Sequence, residues 1–500
     1  MASLGPVGRV WAAPVFINDP FQLGVASGDP VPDGFVIWTR LAPDLFDPQA
    51  LPNEAIVVNW EVAADDKMKK TVMRGQVYAR PELGHSVHVD VMGLQPGREY
   101  FYRFTCGAAV SPVGRALTLP TPTDSPDRLK FALACCQHFQ QGYFTAYRDM
   151  IAQDPNLIVH VGDYIYEVSY GVTVRQYPVN YARSLEEYRL LHGVYKTDPD
   201  LQAAHRHSPW IFTWDDHEVD NDYARNNSQF GEDPVEFEKR RLAAYQAYYE
   251  HIPLRAQARR NANGDMILYQ RLNYGNLLEF NVLDLRQWRS NQACESPDWM
   301  SGRVLNVADC PEFADPARTM LGKDQERWMQ MQFAKTGAKW TVLVHSLMLS
   351  AFDQVNGPGT GYYTDNWSGY QVARRKVLDL IKARKPANVV SLGGDIHSYF
   401  VSEVKDEDGN PDSQTLLTEF VTTSITSESY NTEIFNALLP ENPHIKFCDD
   451  RFRGYVMCDV SQSQWQADLR IMDTVRTRDG KALSLKSFVV EDGRPRLEIA

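Results

Sequence analysis

The chain has 500 residues, 43% of them hydrophobic and 23% charged, with a formal net charge of −13. That negative surplus argues against a nucleic-acid coat or a polybasic membrane anchor, because phosphate polyanions and anionic headgroups are repelled over most of the surface. No apolar run approaches the roughly 18 uninterrupted residues of a membrane-spanning helix, while a small anionic substrate stays compatible because bound metal ions reverse the field inside one cleft.

Residues 1–20 read as a signal remnant or flexible N-terminus, with small residues around Gly8–Pro14 in the manner of a cleavage site. Residues 21–120 change between β-type runs and turn signals in the rhythm of a β-sandwich: Gly34–Thr39, Ile56–Val62, Val72–Ala79, Ser86–Val91 and Tyr100–Thr105. Prolines and small polar residues make 121–128 a linker. From 129 to 500, strands alternate with helical stretches at Thr145–Gln153, Phe237–His251, Asp324–Ala334 and Val372–Lys385, which predicts an α/β domain with a layered sheet. Two long irregular segments, Trp288–Leu321 and Asp353–Gly369, are candidates for an active-site rim.

Five short apolar runs in this second region each end in side chains able to hold a metal. Leu129–Ala134 ends at Cys135 and Cys136, Asn156–Val161 at Gly162 and Asp163 through Tyr166, and Pro209–Trp214 at Asp215, Asp216, His217 and Glu218. Trp340–Val344 ends at His345, and Asn388–Leu392 at Gly393, Gly394, Asp395, Ile396 and His397. Continuous runs of this length predict strands buried on both faces, and in layered α/β folds chemistry gathers beyond one end of such strands. Asp163 is a candidate bridging carboxylate, and Tyr166 an anionic donor for a hard trivalent ion. Asp395 and His397 flank Ile396, so an extended backbone points both to one side. The Asp215–Glu218 run supplies carboxylates and an imidazole, and Asp222, with Asp220 and Asn221, adds oxygens of the kind Ca²⁺ prefers. His345 would complete a two-metal site. His160, His205 and His207 read as structural.

Of the seven cysteines, Cys294 with Cys310 and Cys448 with Cys458 are candidate pairs in an oxidising compartment.

The chain resembles the PhoD-type alkaline phosphatases and phosphodiesterases of the metallophosphoesterase superfamily. The resemblance rests on Gly24–Pro30, Cys136 with Gln137, Gly162–Glu167, Trp214–Val219, Gly393–Phe400 and Arg453–Tyr455. It implies a layered β-sheet core flanked by helices, preceded by an all-β sandwich, and an iron–calcium centre. Carried onto this sequence, Cys136, Asp163, Tyr166 and His397 resemble the Fe(III) shell, with Asp163 bridging to a Ca²⁺ site that includes Asp216 and Asp395. His217 takes the place of the phosphate-contacting histidine. Two departures, His345 and Asp222 where relatives carry amides, open the second site to zinc or manganese.

The expected reaction is hydrolysis of a small phosphate ester, a hydroxide held by the centre attacking phosphorus, in the periplasm or outside the cell. The alternative is a phospholipase D acting on lipid headgroups, which requires an apolar rim; Phe352, Tyr362, Tyr363 and Trp367 are its candidates. A binding module with a dead catalytic domain is disfavoured by the intact donor set.

Overall fold

The computed structural model describes residues 15–47, 49–296, 300–335, 337–429 and 432–500; the signal remnant expected around Gly8–Pro14 lies outside them. The five predicted runs form strands, but two sheets share them. Arg128–Ala134, Leu157–Val161 and Trp210–Thr213 pair in parallel in a ten-stranded sheet. Trp340–Val344 and Val389–Gly393 pair in parallel in a seven-stranded sheet, next to Leu278–Val282.

The sheets are held face to face by one apolar layer that includes Phe131, Val159 and Ile211 from the first and Phe280, Val342 and Val390 from the second. Helices Ala146–Ala152, Leu185–Tyr195, Pro199–His207 and Pro234–His251 cover the outer face of the first sheet, through residues such as Tyr147, Tyr188, Ala204 and Tyr245. Gly322–Phe333 and Gln371–Arg384 cover the second, through Met329, Phe333, Val377 and Ile381. Strands buried on both sides explain the unbroken apolar runs, since neither face meets water.

The first 120 residues contribute differently than a free-standing sandwich would. Val25–Val31, Gly34–Arg40 and Ser86–Met92 extend the ten-stranded sheet, with Gly28 opposite Trp210. Ile56–Ala63, Thr71–Ala79 and Glu99–Cys106 belong to a separate five-stranded sheet, and the two layers enclose Phe35, Ile37, Val58, Tyr102 and Phe104. A Cβ at Gly28 would lie 2.6 Å from the Pro253 carbonyl oxygen, so this junction needs glycine.

Two helices have their caps written in the sequence. Ser184 and Glu187 make a reciprocal capping box before Leu185–Tyr195, and Asp198 with Pro199 opens Pro199–His207. Cys294 and Cys310 are disulfide-bonded across a sixteen-residue separation. Cys448 and Cys458 are buried free thiols, because their strands, Ile445–Asp449 and Arg453–Ser461, lie in different sheets.

Beneath the strand ends, the helices bury a polar layer. Lys196 Nζ donates to Tyr164 Oη at 3.2 Å, lies 3.4 Å from His205 Nε2 and stands 4.4 Å from the Trp38 ring centroid. Burial pushes this ammonium down from 10.5 to about 7. Between those values the unfolded chain keeps a proton that the folded state releases, so this group makes stability rise with pH. Lys196→Met is expected to flatten the rise between about pH 7 and 9.5, measured as unfolding free energy in urea, because Tyr164 and His205 retain their own 2.7 Å contact. An unchanged slope would contradict this.

Candidate metal centre

Beyond the strand ends the backbone is forced into an uncommon conformation. Cys136, Asp163, Asp395 and His397 have φ of 55°, 53°, 69° and 54°, the left-handed region that side chains other than glycine seldom occupy. Such strain persists only where the surroundings over-determine it, and it clusters at functional sites. Here the determinants are visible. Cys136 N donates to Gly162 O at 3.1 Å and Gln137 N to Asp163 O at 3.0 Å. Glu218 accepts from the backbone N–H groups of Asp163 at 3.1 Å, Tyr164 at 2.5 Å and Asp215 at 2.8 Å, so one buried carboxylate locks two loops together. Gly162, φ 105°, lets these loops touch: a Cβ there would sit 2.5 Å from that of Asp215.

The loops deliver three overlapping sets of donor atoms, each set within 4.8 Å: Cys136, Asp163 and His397; Asp163, Asp216 and His217; Asp215, Asp216 and Asp395. Asp163 is common to the first two and Asp216 to the last two. Tyr166 joins the first set, its hydroxyl donating to Asp163 Oδ2 at 2.8 Å and lying 3.0 Å from His397 Nε2. His397 Nδ1, 2.6 Å from the Glu428 carbonyl oxygen, is fixed as the donor there, which turns Nε2 inward.

These residues fit metal ions. Asp163 Oδ1, Asp215 Oδ2 and Asp216 Oδ1 are buried without a hydrogen-bond partner, a costly state for carboxylate oxygens unless a cation meets them. The first set mixes thiol, phenol, imidazole and carboxylate, whereas the third is oxygen alone. Burial, with Cys135, Asp163 and Asp395 nearby, raises the Cys136 thiol; burial, then Asp163 and Cys136, raises the Tyr166 phenol. Burial also raises Asp395, with Asp215 and Asp216 adding repulsion. Each of these groups becomes a strong anionic donor only beside a compensating positive charge.

His217 stands apart in character. Its Nδ1 is 2.7 Å from Glu167 Oε2, whose other oxygen accepts from Asn221 N at 2.9 Å, and its ring lies 4.2 Å from that of Tyr166. Burial would depress its pKa, but Glu167, Asp216 and Asp163 outweigh burial and hold it well above the usual histidine range.

Sequence reasoning passed over Glu167 as a functional residue, together with Arg286 and Asp365. Arg286 is fully buried, bonded through Nε to Asp215 and through Nη1 to Asp365 Oδ2 at 2.7 Å. Its signal was a sixth strand end, Leu278–Val282, obscured because Glu279 and Asn281 interrupt the apolar run.

Two expected ligands lie outside the three sets. Asp222 presents its backbone N to Asp216 Oδ2 at 2.6 Å, while its own Oδ2 accepts from Ser301 Oγ at 2.6 Å and Gly302 N at 2.8 Å. Burial, with Asp365 and Asp216 nearby, pushes it up to about 7. His345 Nε2 lies 2.9 Å from Ser391 Oγ, which donates to Glu419 at 3.0 Å, and burial pushes the imidazole down to about 3. Two of the four candidates for the apolar rim of a lipid site are interior, while Tyr362 and Tyr363 are half-buried. Phe352 is buried against Phe400 and Phe435, and Trp367 is buried beside His345.

Linked donor sets at the ends of strands in two facing sheets point to a class, the metal-dependent hydrolases. Comparison with known proteins narrows it. The model of the PhoD-like phosphatase family matches residues 131–469, and that of the PhoD-like phosphatase N-terminal domain matches 9–120. Alkaline phosphatase D of Bacillus subtilis (strain 168) is 42% identical over 493 residues, 97% of this chain and 83% of that protein. The solved structure of PhoD superposes with a TM-score of 0.92 at 40% identity, covering 98% of this chain and 93% of that one. The chain belongs to the PhoD-like phosphatase family.

Replacing Glu218 by Ala orphans three buried N–H donors, so Glu218→Ala is expected to cost on the order of 3 kcal/mol or more and to lower metal content, checked by chemical denaturation and elemental analysis. Wild-type stability in the variant would show that Glu218 does not hold the loops.

Proposed function

We propose that the chain is an alkaline phosphatase with phosphodiesterase activity on small phosphate esters, with Fe(III) held by Cys136, Asp163, Tyr166 and His397 and Ca²⁺ by the oxygen-only set of Asp215, Asp216 and Asp395. The observation that carries the reading is Asp163, which belongs to the first donor set, lies within 4.8 Å of a donor oxygen of Asp216 from the oxygen-only set, and keeps one oxygen free of hydrogen bonds. Thiolate and phenolate suit a trivalent ion, and carboxylates alone suit a hard, exchangeable one. Bound metal ions supply Lewis acidity, making a nucleophile available near neutral pH and offsetting charge on the phosphoryl oxygens.

The chain's own residues do the rest. Glu167 orients His217 through Nδ1 and stands as the counter-charge of the imidazolium, whose other N–H is at Nε2. That proton is available to a phosphoryl oxygen or to the leaving group. Tyr166 supports the ring from one face at 4.2 Å, so a residue of the first donor set also fixes the proton donor.

The same reading places the protein in the periplasm or outside the cell. The Cys294–Cys310 disulfide supports an oxidising compartment, and among the described residues no helix is long and apolar enough to cross a membrane.

The purified protein is expected to show a ligand-to-metal charge-transfer band that Tyr166→Phe shifts or removes; a colourless, fully active zinc protein would sink the iron assignment. His217→Ala should lower kcat by 10²-fold or more at near wild-type metal content, whereas Asp216→Ala should lose metal and regain part of its rate with added Ca²⁺. Equal metal loss in both would show that His217 is a ligand. A Ca²⁺-selective chelator should inactivate reversibly with iron retained; insensitivity would point to zinc or manganese in the second site.

A further inference from the structure

Arg286 is placed as no ordinary salt-bridge partner. Its guanidinium is fully buried and permanently charged, and it faces the three carboxylates of the third donor set at once. Nε donates to Asp215 Oδ1, while Nη2 lies 3.5 Å from Asp216 Oδ1 and 3.8 Å from Asp395 Oδ1 and has no hydrogen-bond acceptor of its own. The remaining nitrogen, Nη1, bonds Asp365 at 2.7 Å. Asp365 is itself braced by Arg289, whose Nη2 bonds its carboxylate and whose Nη1 donates to its carbonyl oxygen at 3.1 Å. The guanidinium therefore cannot swing away from the acidic set.

A fixed positive charge at that distance repels a second cation, and Asp215 has one oxygen committed to Arg286 before any ion arrives. Among the described residues no arginine or lysine forms an ion pair with the Cys136–Asp163–His397 set; Arg453 acts on Cys136 from outside it, its own Nη1 bonded to Ser427 O at 2.6 Å. We propose that Arg286 is an affinity-setting residue: a built-in counter-cation that weakens the hold of Asp215, Asp216 and Asp395 on a divalent ion, keeping that ion exchangeable while the other set retains its own. This rests on the reading that both sets bind metal.

The test is calorimetric titration of Ca²⁺ into full-length protein depleted with a Ca²⁺-selective chelator. Arg286→Gln is expected to bind Ca²⁺ at least tenfold more tightly than wild type, because repulsion is removed and Asp215 is released. Arg286→Lys, which keeps the charge, should stay within about threefold. Asp365→Asn should weaken binding severalfold, since it leaves the guanidinium less neutralised. The opposite signs separate a counter-cation from a structural brace, for which both neutralising variants would bind more weakly. Unchanged or weaker binding by folded Arg286→Gln, or, if that variant does not fold, unchanged or tighter binding by Asp365→Asn, overturns the proposal. Wild-type protein that takes up no Ca²⁺ overturns the two-set reading beneath it, a result distinct from either variant's failure.

Discussion

Everything at the strand ends is arranged around one electrostatic constraint: overlapping donor sets bring the buried Asp163, Asp215 and Asp216 together with the half-buried Asp395. Carboxylates in that position repel each other and lose hydration, so the arrangement is stable only with positive charge among them. Arg286 supplies part of it and His217 another part, and the unpartnered oxygens of Asp163, Asp215 and Asp216 mark where more is required. The need for metal is thus a consequence of how the fold spends its acidic residues.

Holding such a set also requires a frame that cannot relax. Two sheets with a common apolar layer fix the strand ends from both sides, and Glu218 ties the loop at Asp163 to the loop at Asp215. Left-handed backbone at Cys136, Asp163, Asp395 and His397 then aims their side chains inward at a conformational cost that the frame sustains. The N-terminal strands belong to this frame: by pairing beside Trp210–Thr213 they remove a free edge from the strand that leads to Asp215 and His217.

Much of this was legible in the sequence, because strands buried on both faces leave unbroken apolar runs and their ends are then easy to find. What escaped did so for local reasons. The strand leading to Arg286 contains Glu279, paired with Arg271, so its apolar run is broken by a residue with its own counter-ion. Asp365 lies in a glycine-rich loop where one carboxylate carries no spacing signal. His345 satisfied the strand-end rule, yet its Nε2 meets Ser391 on the neighbouring strand rather than a donor set, a choice that apolar periodicity does not encode. Asp222 has ligand chemistry, but Ser301 and Gly302, nearly 80 residues away, take up its carboxylate oxygen. The aromatic residues of the 352–367 region were indistinguishable from a substrate rim until Phe352 and Trp367 were seen to fill the interior.

The central claim is that a trivalent ion belongs to Cys136, Asp163, Tyr166 and His397 and a separate, harder-ligand ion to the neighbouring carboxylates. Anomalous diffraction from crystals of the metal-replete protein, recorded on either side of the iron edge, tests it directly. The account predicts an iron peak within bonding distance of Cys136 Sγ, Tyr166 Oη, Asp163 and His397 Nε2, and a second density without an iron signal beside Asp216 and Asp395. An iron peak coordinated by His345, or a single ion held by the carboxylates with Cys136 and Tyr166 unligated, would contradict it.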